Sequence, residues 1–128
     1  MAPGIVAPVL SVILATADPY AAAECFVRAG WRLVFATPAE EGDPLTCVQL
    51  ADAEVMLGVD TPAFLAPEGR EHRGAGVEVY LRVPPEALDG IYASHLREGR
   101  VVTPLQDQPW GERGFHAVIE GYRFLVAA

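Results

Sequence analysis

A chain of 128 residues with 52% hydrophobic content can bury one core and is too short for two ordinary domains, so a single domain over 1–128 is expected. Its 17 acidic residues against 9 basic ones give a net charge of −8, which repels nucleic acid and anionic membrane surfaces. All the basic residues are Arg, so Schiff-base and lysine-base chemistry are excluded.

In chain order, Val6 to Ala15 is β-branched and almost unbroken in apolar character, which predicts a strand buried on both faces, with Pro8 at its free start. Asp18 offers an N-cap, Pro19 suits a first helical turn and Gly30 can end the helix, giving a helix over Pro19 to Ala29. Its buried stripe is Ala22, Cys25, Phe26 and Ala29. Trp31 to Thr37 reads as a second strand, with Trp31 in the core, and the acidic Pro38 to Pro44 (Glu40, Glu41, Asp43) as a solvated connection. Leu45 to Leu50 and Glu54 to Val59 form two more strands around a turn at Ala51-Asp52-Ala53. Cys25 and Cys47 fall on different elements, which predicts two free thiols in a reducing compartment rather than a disulfide framework.

Asp60 to Gly76, rich in Pro, Gly and charge, reads as a long connection with a short helical turn near Phe64. Val77 to Val83 is the next strand, Pro84-Pro85 opens a helix to about Glu98, and Gly99 follows it. Arg100 to Pro104 gives a further strand and Leu105 to Glu112 a loop. A hairpin turning at Glu120-Gly121 closes the chain. The order βαβββ therefore occurs twice, in modules of about 5–60 and 76–128. Gly30 pairs with Gly99, Asp52-Ala53 with Glu120-Gly121 and Ser11 with Glu78, the pattern of an internal duplication.

These residues resemble the vicinal oxygen chelate superfamily, the glyoxalase/bleomycin resistance/extradiol dioxygenase type of domain. The likeness runs through Asp18, Cys25-Phe26 and Gly30-Trp31, then Leu88, Tyr92, Leu96 and Gly99, and finally Pro109-Trp110-Gly111, Arg113 and Phe115. The last hairpin departs from it, with Val118-Ile119-Glu120-Gly121 one residue shorter than the family's Asp-Pro-Asp-Gly-like turn. The resemblance implies an α+β fold of two curved βαβββ modules and a homodimer enclosing a cavity.

Family enzymes hold a metal on the first and last strands of each module, and those positions fall here on Ser11, Leu57, Glu78 and Leu125, or on Phe124 or Val126 if the last strand is shifted. One good ligand, Glu78, remains, and His72, His95 and His116 show no paired-ligand spacing. The resemblance therefore implies the bleomycin resistance-like branch, a protein without metal or other cofactor that sequesters an antibiotic-like or aromatic, in one version cationic, small molecule. Aromatic faces and charged groups suit such a ligand. With no run of 18 apolar residues and no signal-like start, a cytoplasmic location is expected.

The expected ligand-binding residues are Glu78, Tyr80, Trp110, Phe35, Ser11, Arg82 and Arg123. Alternation along a strand puts Glu78, Tyr80 and Arg82 on one face. Trp110 can line the cavity or lock its loop onto the sheet, and Arg113 is expected to anchor that loop. Two alternatives stand beside this reading: a metal-dependent lyase, isomerase or dioxygenase using Glu78, and a carrier or interaction module for a biosynthetic peptide intermediate.

Overall fold

The structure is a computed structural model and describes residues 10–128. Residues Val6 to Val9 of the expected first strand, Pro8 among them, lie outside the described residues. The first module comprises β1 (Ile13–Thr16), α1 (Pro19–Arg28), β2 (Arg32–Ala36), β3 (Leu45–Leu50) and β4 (Ala53–Val59). The second comprises β5 (Glu78–Arg82), α2 (Leu88–Arg97), β6 (Val101–Asp107), β7 (Arg113–Ile119) and β8 (Tyr122–Ala127). Each module folds into a mixed four-stranded sheet, in the orders β1-β4-β3-β2 and β5-β8-β7-β6. In both, the first strand runs parallel to the last and the other pairings are antiparallel. This is the α+β duplicated fold expected from the sequence.

Local chemistry explains the elements. The Asp18 carboxylate caps α1 by accepting from the Tyr20 and Ala21 backbone N–H groups at 3.0 and 3.3 Å, and Pro19 opens the helix. Ala22, Phe26 and Ala29 are buried as expected, and Cys25 is half-buried. The second helix starts later than expected, at Leu88, because Pro85–Ala87 winds a tighter 3-10 turn ahead of it. β6 continues past Pro104 to Asp107. It is an edge strand with two register shifts against β7, and such irregular edges accept proline. In the connection, Phe64 sits in a hydrogen-bonded turn, while the helical turn is at Pro67–His72.

The helix-bearing faces of both sheets share one core. Phe26 packs edge-on against Trp31 (5.0 Å between centroids) and against Phe124 of β8 (5.7 Å), and Trp31 also meets Phe124 (5.3 Å). Polar pins cross the same boundary. The Trp31 indole N–H donates to His95 Nε2 at 3.0 Å, the Ser94 hydroxyl to Ala29 O at 2.6 Å and the Tyr122 hydroxyl to Ala15 O at 2.6 Å. The connection is tied down by Asp60, which is nearly buried and pairs with Arg73 and Arg70. Among the described residues no helix covers the opposite faces of the sheets, and Phe64 of the connection lies against that of the first sheet beside Ile13 and Gly58.

The register corrects the expected match between the halves. Both hairpins carry a residue with positive φ at the first turn position, Ala51 (52°) and Glu120 (55°). The turn Ala51-Asp52 therefore corresponds to Glu120-Gly121, one residue earlier than the sequence pairing, and Met56 rather than Leu57 matches Leu125. Leu57 is fully buried on the helix side with Val55 and Val48, so it does not reach the open face. Ser11 does correspond to Glu78, since Ile13 pairs with Met56 as Tyr80 pairs with Leu125.

Candidate functional site

β5 supplies the base of the site. Val79 and Leu81 turn into the core, so Glu78, Tyr80 and Arg82 share the open face. On the neighbouring strands the same face presents Arg123 and Leu125 of β8 and His116 of β7, because Glu78 registers with Arg123, Tyr80 with Leu125 and Leu125 with His116. The loop between β6 and β7 brings Trp110 over them. It closes through hydrogen bonds from Gln108 N to Glu112 O (2.6 Å) and from Gly111 N to Gln108 O (3.0 Å), with Gly111 at φ 101°. That dihedral is one that a side chain resists, which explains glycine after Trp110.

Glu112, which the sequence reading passed over, organises the cluster. Its Oε1 accepts from the Tyr80 hydroxyl and from the Trp110 indole N–H (2.6 Å), and its Oε2 accepts from Arg82 Nε (2.9 Å). Hydrogen bonds from Tyr80, then Trp110, then Arg82 hold the Glu112 carboxyl below the usual carboxylate range. The two rings lie 6.4 Å apart, tilted by 55°, and the Arg82 guanidinium sits 4.7 Å from the centre of the Tyr80 ring. Trp110 is 53% exposed and Tyr80 42%, so two large rings are held in place while partly open to solvent. Beside them, Glu78 Oε1 accepts from Arg123 Nε at 2.9 Å and lies 3.1 Å from His116 Nε2.

Glu78, Tyr80, Arg82, Arg123 and Trp110 are thus brought together on one face. Phe35 is not among them. It is 40% exposed on the open face of the first sheet, in β2, the strand farthest from β1 in that sheet. Ser11 is exposed just before β1, between Leu10 and Val12. Those two residues line a groove of about 420 Å³ with Asp52, Glu54, Glu78 and Tyr80. Arg113, the expected loop anchor, reaches Asp89 at 3.4 Å from the start of β7. A more apolar groove, about 470 Å³, runs between α1 and β2 past Tyr20, Val27 and Leu33. It lies on the helix side of the first sheet, away from the Tyr80–Trp110 cluster.

The positions at which family enzymes hold a metal carry Ser11, Met56, Glu78 and Leu125 in the observed register. Leu125 is 5% exposed and apolar, and Glu78 is already engaged by Arg123 and His116. Phe124 and Val126, the positions given by a shifted last strand, point into the core. No group of three or more His, Cys, Asp or Glu side chains gathers among the described residues. This donor set does not fit a divalent cation, which needs three or four converging ligands. His95, by contrast, is a core residue: it accepts from Trp31 while its Nδ1 faces Ile91 O at 2.8 Å, and burial lowers its pKa. His72 is exposed in the connection. No helix among the described residues is long and apolar enough to cross a membrane.

Comparison with protein-family profiles and with curated protein sequences gave no match. Solved structures do match over nearly the full chain. TioX from Micromonospora sp. ML1 is 26% identical with a TM-score of 0.69, over 94% of this chain and 98% of its own. A glyoxalase/bleomycin resistance protein/dioxygenase superfamily member from Sphaerobacter thermophilus is 22% identical with a TM-score of 0.68, over 95% and 97%. A bleomycin resistance determinant encoded on the transposon Tn5 is 16% identical with a TM-score of 0.68, over 94% and 97%. With its paired βαβββ modules and shared core, the chain has, over nearly its full length, the fold of these glyoxalase/bleomycin resistance protein/dioxygenase superfamily structures.

Proposed function

We propose that the protein binds a planar aromatic small molecule against the Tyr80–Trp110 wall and withholds it from solution without transforming it. One observation carries this reading: two large rings stay exposed, yet both are hydrogen-bonded to the same carboxylate, Glu112. Aromatic side chains on a surface loop are ordinarily buried or mobile, and fixing them costs side-chain entropy. Pre-fixed faces lose less on stacking a ligand. The structural likeness to a bleomycin resistance determinant supports a protective role, sequestration of an antibiotic-like compound.

The second half of the cavity would come from another copy of the chain. The open sheet faces leave Ile13, Phe35 and Tyr80 each 40–48% exposed, apolar surface that a second copy would cover. A homodimer covering both faces would set Phe35 and Ser11 of one subunit against the wall of the other. Sedimentation of the purified protein should then give twice the chain mass. A thermal-shift screen of planar aromatic compounds tests the binding itself. A ligand at 100 times its dissociation constant should stabilise by about 2.7 kcal/mol, and Trp110→Ala should abolish the shift. A screen in which no aromatic compound shifts the midpoint contradicts the reading.

A further inference from the structure

The protein engages Glu112 through both carboxylate oxygens and Glu78 through one. Glu112 spends its two oxygens on Tyr80, Trp110 and Arg82, and Glu78 meets Arg123 and His116 through Oε1. The two arginines are engaged only in part. Each uses its Nε, and the terminal amino groups of Arg82 and Arg123 have no hydrogen-bond acceptor among the described residues. Their side chains are 71% and 46% exposed. A guanidinium carries five N–H donors in a planar fork, so most of the donor capacity on this face points outward.

Local charge agrees with this. Two carboxylates face two guanidiniums in the wall itself, while the further acids Asp52 and Glu54 line the adjoining groove rather than the Arg82–Arg123 side, and Glu40, Glu41 and Asp43 lie in an exposed loop. One face of the Tyr80 ring is already covered by the Arg82 cation at 4.7 Å, which would repel a second cation stacked there. Glu54, at the rim of the adjoining groove, accepts from the Cys47 thiol at 3.5 Å.

We propose that this site selects planar aromatic compounds carrying an anionic or strongly accepting oxygen group, such as an aromatic carboxylate or phenolate, and disfavours aromatic cations. The ring lies along Trp110 and its oxygens face the outward amino groups of Arg82 and Arg123. This rests on the aromatic-binding reading above and reverses the charge preference that the acidic composition suggests.

Calorimetric titration of the wild-type protein at low salt with 2-naphthoate, 2-naphthamide and 2-naphthylmethylammonium tests it. The carboxylate should bind about tenfold tighter than the ammonium, the size expected for one charge-assisted hydrogen bond. Arg82→Gln and Arg123→Gln should each remove about that factor for the carboxylate, with folding checked by thermal unfolding, while Arg82→Lys should retain the preference for the anion. Equal or tighter binding of the ammonium, or unchanged carboxylate affinity in both Gln variants, overturns the charge selection and leaves aromatic binding standing. If none of the three probes binds, the aromatic site itself falls and this inference with it.

Discussion

At the scale of single residues, Glu112 decides whether Trp110 is a binding face or a loose loop side chain. Its carboxylate joins a strand residue (Tyr80) to a loop residue (Trp110), so ring position depends on one acceptor. Glu112→Gln keeps the size but weakens the charge-assisted bonds. The expected outcome is faster Trp110 motion, seen as lower fluorescence anisotropy against the fixed contribution of buried Trp31, and weaker aromatic binding with little change in the unfolding midpoint. The strand residues of this cluster were legible in advance, because alternation alone puts Glu78, Tyr80 and Arg82 on one face. Glu112 was not, since nothing local distinguishes a loop glutamate that closes a three-way contact from one that faces water.

At the scale of elements, signals tied to backbone geometry were the readable ones. The Asp18 cap, Pro19 and both hairpins appear where the sequence puts them. The sequence pairing of Asp52-Ala53 with Glu120-Gly121 is one residue off because the first positive-φ position of each turn, Ala51 and Glu120, carries no glycine to mark it, while Gly121 (83°) marks only the second position of the second turn. That slip put Leu57 on the open face, when it lies in the core. Strand ends were harder to read: β6 passes through Pro104 because its bulged edge has no ladder to lose there. The strain at Ala51 gives a direct prediction. A non-glycine residue in this region costs about 1–2 kcal/mol, partly offset by the greater freedom glycine has when unfolded. Ala51→Gly should therefore raise stability by about 0.5–1 kcal/mol in urea unfolding, with the m-value unchanged.

For the whole molecule, the modules behave as one body because Phe26, Trp31 and Phe124 knit them together and Trp31 is pinned to His95. The sequence showed the duplication but not this junction, since contacts between residues so far apart leave no periodic trace. Burial lowers the pKa of His95 in the folded state, so the unfolded chain takes up its proton first. Stability from this group is complete above the unfolded value of about 6.5. It is lost as pH falls from there through the lower folded value. Wild-type protein should lose stability over that window, and His95→Gln, which still offers Trp31 an acceptor, should flatten the slope.

The central claim is that Trp110 with Tyr80 forms the ligand-binding wall. The chain has two tryptophans, one on that wall and one sealed in the core, so the two indole N–H resonances report on binding with their own control. Titrated with 2-naphthoate, the Trp110 indole resonance should move saturably and the Trp31 resonance should stay in place. A Trp110 resonance that stays fixed while the compound binds would put the ligand elsewhere and contradict the account.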